Sequence, residues 1–256
     1  MVYALLFIVG AVIGSFLNVV IYRLPRKISL VKPDSFCPQC EAPIPTRFNI
    51  PILGYIILRG KCYYCHQKIS FGYFFVELIS GIVSVFTFLK FGFTPGFFFY
   101  LIFIYFLIVI SFIDLSTQLI YNKLLIALLG FGVLFNLLFS VIAWSQALTG
   151  VVIGGASLFL FALLGQFLFK KESMGMGDVK LAAVMGFFLG WKMVLLALLI
   201  GFCYAFLAFI FLSFSKTERF KEYVPMAPFL ALSTITFIYW GPALIQWYWN
   251  LFLPVH

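Results

Sequence analysis

Stretch after stretch of this chain stays apolar for the distance a helix needs to cross a bilayer, about 20 residues at roughly 1.5 Å each for a hydrocarbon core of about 30 Å. Such stretches fall at about 1–22, 73–91, 97–114, 120–141, 147–169, 179–190, 193–214 and 228–251. The chain therefore reads as an all-α polytopic membrane protein with about eight transmembrane helices. The sixth stretch is short for a span. Gly190-Trp191-Lys192 is either a tight outer turn or a kink inside a longer element, and a kink would leave seven spans. Composition closes off a soluble fold: 64% of the 256 residues are hydrophobic and only 10% are charged, against about 25% charged in an ordinary soluble domain. No fixed-period repeat or heptad pattern interrupts the reading.

Charge sets the orientation. The first apolar run has no basic residue before it and no small-residue cleavage site after it, so it reads as a retained anchor and not as a removable signal. Its basic flank, Arg23, Arg26 and Lys27, follows it, which holds that end in the cytoplasm and places the N-terminus outside. Threading eight spans from there leaves only Lys90 and Lys192, of 17 Lys and Arg residues, on the outer side. The net charge of +9 is then a property of span flanks facing an anionic leaflet. No basic helix with interleaved aromatics lies outside the apolar stretches, so no nucleic-acid partner is expected. The 35 Phe residues read as lipid-facing filler, and Trp247, Tyr248 and Trp249 as an interfacial aromatic belt.

One polar loop is long. Three regions result: a first helix over 1–22, a small cytoplasmic domain over 23–72, and a helical bundle over 73–256. The loop carries Cys37-Pro-Gln-Cys40 and Cys62-Tyr-Tyr-Cys65, which hold four of the five cysteines in the chain. Two CxxC knuckles at such a separation offer four thiolates to one tetrahedral zinc, and four thiolates leave no open position for a water, so the metal would be structural. Two disulfides are the plainer reading, but a reducing cytoplasm opposes them. Cys62-Tyr-Tyr-Cys65-His66 also fits the c-type haem attachment pattern, which would leave Cys37 and Cys40 without a role and require an outward-facing loop. Cys203, alone in an apolar span, reads as a small hydrophobe.

Of eight acidic residues, Asp34, Glu41, Glu172, Glu218 and Glu222 sit in basic loops. Glu77, Asp114 and Asp178 do not. Each stands at the cytoplasmic end of a span, where an ionisable group is expensive unless it meets a partner or a wet cavity. Two carboxylates close together do not both ionise easily, and such a pair can activate a water, which is the chemistry of an aspartic protease. Asp178 after Gly175-Met176-Gly177 also suits an ordinary helix N-cap, and Glu77 an interfacial charge paired with a Lys or Arg. Taken together at one depth, with glycines that admit a substrate backbone, Asp114 and Asp178 read as a catalytic pair. A proton-coupled transporter with a regulatory zinc loop is the alternative, but it calls for charges near the bilayer midplane and paired broken helices. A non-enzymatic, zinc-containing assembly platform is a third reading.

The motifs resemble those of the type IV prepilin peptidases, bacterial membrane enzymes of the GxGD aspartic-protease class. Gly14-Ser15-Phe16-Leu17-Asn18 through Arg23-Leu24-Pro25 is similar to the family's opening segment, and the two CxxC pairs to its zinc-bearing members. Phe75-Val76-Glu77-Leu78, Ile113-Asp114-Leu115, Gly175-Met176-Gly177-Asp178 and Ala227-Pro228-Phe229 resemble later family motifs. Ile120-Tyr121-Asn122 departs from a common Leu-Pro-Asp, and Met226-Ala227 from a common Phe-Gly; neither change touches the aspartates. The resemblance implies an inner-membrane endopeptidase that removes the basic leader of type IV prepilins or pseudopilins at the cytoplasmic face. It also implies methylation of the exposed N-terminal amine with S-adenosylmethionine, within type IV pilus or type II secretion systems. The chain shows no Gly-rich nucleotide fingerprint, so the methyl-donor residues are not assigned from the sequence.

Overall fold

The computed structural model describes residues 1–169, 175–213 and 225–252. Glu172, Glu218 and Glu222 lie outside the described residues, as do the side chains of Tyr248 and Trp249. The chain divides into two compact units, Met1–Phe97 and Phe98–His256. Among the described residues there are helices and isolated bridges but no strand. Among the described residues, seven helices are long and apolar enough to cross a membrane.

In the first unit, α1 (Val2–Arg23) packs against α3 (Phe71–Phe91), with the short helix α2 (Leu53–Ile57) in the loop between them. Small residues set the contact. A Cβ on Gly10 would lie 2.7 Å from the Ser80 carbonyl oxygen, and one on Gly14 would lie 2.8 Å from Glu77 Cα. Without a hydrophobic drive between helices in lipid, such close backbone approach is what holds a pair together. Asn18 Nδ2 donates to the Tyr73 carbonyl at 2.9 Å, which adds a polar tie at the loop end of the pair. Arg23, 4% exposed, ends α1 by donating to the carbonyls of Ser29, Pro33 and Asp34. These bonds fold the chain back over the helix end and spend a buried charge on backbone acceptors.

The second unit takes in most of α4 (Pro95–Thr117), with α5 (Asn122–Phe139), α6 (Trp144–Phe169), α7 (Met176–Ser213) and α8 (Ala227–Phe252). Asn136, fully buried, closes the α5–α6 turn by donating to the Ile142 carbonyl and accepting from the Ile142 amide. The 38 residues of α7 would run about 57 Å if straight, almost twice the hydrocarbon thickness, and they do not run straight. Gly190 has φ 74° and ψ 168°, a region open essentially to glycine alone.

Contacts on either side of Gly190 show what the break does. Gly190 faces Gln146, Gly150 faces Gly186, and Gly154 faces Ala182, so each step of four along α6 meets a step of four back along α7. The leg before Gly190 is antiparallel to α6. After Gly190 the order reverses: Gly154 meets Val194 at 3.2 Å and Phe161 meets Phe202 with ring centroids 4.8 Å apart. The second leg therefore runs parallel to α6, and the chain turns back at Gly190. The sixth and seventh apolar stretches are two helical legs of a hairpin, the first of them short, joined at the non-helical Gly190.

Candidate functional site

The cysteine knuckles are built alike. In the first, Cys37 N–H donates to Ala42 O and Glu41 N–H to Cys37 O; in the second, Cys62 N–H donates to Gln67 O and His66 N–H to Cys62 O. Glu41 and His66 both take positive φ, at 57° and 56°, and isolated bridges Phe36–Pro43 and Lys61–Lys68 close the two turns. Every feature recurs 25 positions on, as from Cys37 to Cys62. Each turn aims its two thiols the same way.

The four Sγ atoms lie within 4.8 Å of one another, with Cys37–Cys65 and Cys40–Cys62 both at 3.9 Å. Four sulfurs about 2.3 Å from a tetrahedral ion would be about 3.8 Å apart, so the set fits a metal. All four are free thiols, and 3.9 Å is far beyond a disulfide bond of about 2.05 Å. The haem reading fails because Cys62 and Cys65 share one cluster with Cys37 and Cys40. Burial raises the Cys62 thiol, but the amides of Cys65 and Tyr64 and the nearby thiols of Cys37 and Cys65 outweigh it and bring the pKa down to about 7. For Cys65 the Gln67 amide acts downward, yet burial and the thiols of Cys40, Cys62 and Cys37 push it up to about 11. A cluster that releases one proton readily and resists releasing the next is one that a cation would complete.

Glu77, the seventh residue of α3, sits in the first unit. Its Oε2 accepts from the Ile52 amide at 2.7 Å, and Ser15 and Asn18 also bond to it. The interfacial-charge reading anticipated a Lys or Arg here; the strong donor is a backbone amide. That amide is unusually placed. Ile52 takes φ 65° and ψ −54°, and the Leu53 amide donates to the Pro51 carbonyl at 2.6 Å, which together make a γ-turn of the rare, strained kind. A β-branched residue in that region is a true outlier, and Glu77 holds it.

In the second unit, Asp114 ends α4 at 5% exposure, and its Oδ2 accepts from the Ala227 amide at 3.1 Å. Ala227 opens α8, so this amide is one of the donors that a helix start leaves without an intrahelical partner. Asp178 is the third residue of α7, so it is not the N-cap; Gly175 stands before the helix and accepts from the Asp178 amide. Phe103 stacks on Phe188 with centroids 4.1 Å apart, and α4 and the first leg of α7 run antiparallel past that pair. Asp114 lies 11 residues beyond Phe103 and Asp178 lies 10 before Phe188, so the register brings both aspartates to one level, about 16 Å along the helices. The two carboxylates interact electrostatically. Gly177 permits the approach of this helix end, since a Cβ there would be 3.0 Å from Ile120 Cβ. The sequence reading passed over two supports here, the Ala227 amide and Ile120. Both act through the backbone or through bulk, and neither carries a chemical signature.

Residues 8–91 match the family model described as the bacterial peptidase A24 N-terminal domain, and residues 101–212 match that of the type IV leader peptidase family. A prepilin leader peptidase/N-methyltransferase of Legionella pneumophila is 34% identical over 92% of this chain and 90% of that protein. Proteins of the same description from Aeromonas hydrophila and Klebsiella pneumoniae are 32% and 39% identical, over 98% and 73% of this chain and 95% and 85% of their own lengths. No solved structure matches the chain.

Proposed function

Since the chain belongs to the type IV leader peptidase family, we propose that it cuts the leader from type IV prepilins or pseudopilins with Asp114 and Asp178, and that it then methylates the new N-terminus. The observation that carries the peptidase reading is the second unit's pair of carboxylates, set at one level by the α4–α7 register and close enough to interact. Hydrolysis by such a pair uses one carboxylate to take a proton from water and one carboxylic acid to hydrogen-bond the scissile carbonyl. Water's oxygen attacks the carbonyl carbon, the C–N bond breaks, and the departing amine takes up the proton. The Ala227 amide fixes one Asp114 oxygen throughout, which leaves the other for water.

Placement supports the substrate assignment. Both aspartates lie at helix ends that the charge distribution assigns to the cytoplasmic side, where a basic leader remains while the pilin's apolar helix enters the bilayer. In this reading the protein is a multi-pass inner-membrane enzyme with its N-terminus outside. The four thiolates of Cys37, Cys40, Cys62 and Cys65 would hold zinc as a structural ion that ties two turns of the loop together. S-adenosylmethionine would supply the methyl group. Incubating purified protein with a prepilin and S-adenosylmethionine, then weighing the product by mass spectrometry, tests both steps. Loss of the leader mass followed by gain of one methyl group is expected; an intact precursor would overturn the reading.

A further inference from the structure

The short helix α2 has two unlike sides. Gly54, Tyr55 and the following Leu58 turn inward against the loop, and a Cβ on Gly54 would run into the Phe48 carbonyl, so that side is tightly packed. Leu53, Ile56 and Ile57, at the i, i+3, i+4 spacing of a single helix face, turn the other way and are 53%, 55% and 59% exposed. Ile50 just before the helix and Phe71 and Phe75 at the start of α3 are exposed as well. Tyr55 joins the two helices through ring contacts with Phe71 and Phe74, at 6.3 and 5.4 Å between centroids. An exposed apolar surface of this extent marks contact with something apolar.

Depth identifies the contact. The 21 residues of α3 are about 31 Å long, the thickness of the hydrocarbon core with nothing to spare, so Phe71 stands at one boundary of the core. Glu77 stands six residues further in, about 9 Å along the axis, and its carboxylate holds the Ile52 amide. Its side chain leans back toward the helix start, yet the segment it holds lies beside the first turns of α3 and not beyond them, as the Tyr55 ring contacts also require. The backbone suits that depth. Pro51 has no amide, and the amides of Ile52, Leu53, Gly54, Ile56 and Leu58 donate to Glu77 and to the carbonyls of Pro51, Ile50, Ile52 and Gly54. Irregular backbone is tolerated at membrane depth only where its polar groups are paired in this way.

We propose that residues 50–57 anchor the loop in one leaflet of the bilayer, with Leu53, Ile56 and Ile57 among its acyl chains and the cations that follow at its anionic headgroups. The charges complement this placement. Arg59 and Lys61 follow α2 and Lys68 precedes α3, all three exposed, and between Glu41 and Glu77 the chain has four basic residues and no acidic one. A short apolar face bordered by cations is the pattern of a helix that lies in the interface plane. The loop that carries the four cysteines is then part of the membrane face and not a domain free in solvent. Lipid, together with α1 and α3, sets the height of the cysteine cluster above the bilayer.

The test places a fluorescent amino acid at Ile56 and, as a control, at Gln39, which is exposed between Cys37 and Cys40, in the full-length protein held in nanodiscs of phosphatidylglycerol and phosphatidylcholine. Thermal melting at the wild-type temperature shows that each labelled protein is folded. Acyl chains spin-labelled near the headgroup should quench the dye at position 56 at least about twofold more than the dye at position 39, and aqueous iodide should do the reverse. Equal iodide quenching at the two positions overturns the anchor, since the face then meets water. Protection of position 56 from both quenchers overturns it as well, since the face then belongs to a protein, either a substrate helix or a second copy of this chain. Arg59→Gln together with Lys61→Gln tests the headgroup contacts in the same labelled protein. Spin-labelled phosphatidylglycerol should quench position 56 at least about twofold more than spin-labelled phosphatidylcholine, and the double variant should lose that preference. An unsubstituted loop that shows no preference between the two lipids overturns the headgroup contacts.

Discussion

At the scale of single residues, three acids near helix ends hold different positions because their neighbours differ. Asp114 faces the amide that starts α8, Asp178 lies within the first turn of α7 with Asp114 as its electrostatic neighbour, and Glu77 restrains a strained turn in the loop. Asp114→Asn and Asp178→Asn should each remove leader cleavage, by about 10²-fold to 10⁴-fold or more, because an amide neither accepts a proton from water nor donates one as an acid does. A gel assay on a prepilin, with membrane abundance as control, reads the loss; turnover at the wild-type rate in either variant would rule out the pair. Gly177 is a second sensitive position. Its replacement by Val would press on Ile120 from 3.0 Å and move the helix end that carries Asp178, so cleavage should fall even though no acid has changed.

At the scale of elements, the α6–α7 contact rests on absent side chains. A Cβ on Gly186 would run into the Gly150 carbonyl, and one on Gly150 into that of Gly186. Gly186→Ala should therefore lower stability by about 1–3 kcal/mol through overpacking, whereas Gly130→Ala, inside α5 with nothing within 4 Å, should not lower it, since Ala is the better helix former. Thermal unfolding in detergent distinguishes the two. Gly190→Ala should cost about 1–3 kcal/mol for a different reason, the backbone region that an L side chain avoids. In the loop, Cys37→Ser or Cys62→Ser should release the metal from a protein that otherwise carries about one zinc per chain. Elemental analysis checks this, and a metal-free wild type with both activities intact would make the cysteine cluster dispensable.

At the scale of the whole molecule, the two proposed activities draw on different units, so they should come apart. Given a pilin whose leader is already removed, the Asp114→Asn protein should still transfer a methyl group, while Cys37→Ser should lose that transfer more readily than cleavage. Methyl incorporation that disappears with the aspartates in a folded protein would mean that one site does both jobs. Much of this organisation is legible in the chain itself. Apolar length marks the spans because the bilayer has one thickness, and two CxxC pairs mark a four-thiolate cluster because tight turns are the local way to present paired ligands. The glycines of α6 and α7 are visible in the sequence too. Which of them faces which, and that Gly190 reverses the chain where a kink was equally open, depended on packing between segments that no local pattern specifies. The same holds for Asp114 against the Ala227 amide, 113 positions away, and for Glu77 against Ile52. Composition and spacing determine the chemistry a residue can offer; its partner is chosen by tertiary contact, where backbone groups without any residue signature do the holding.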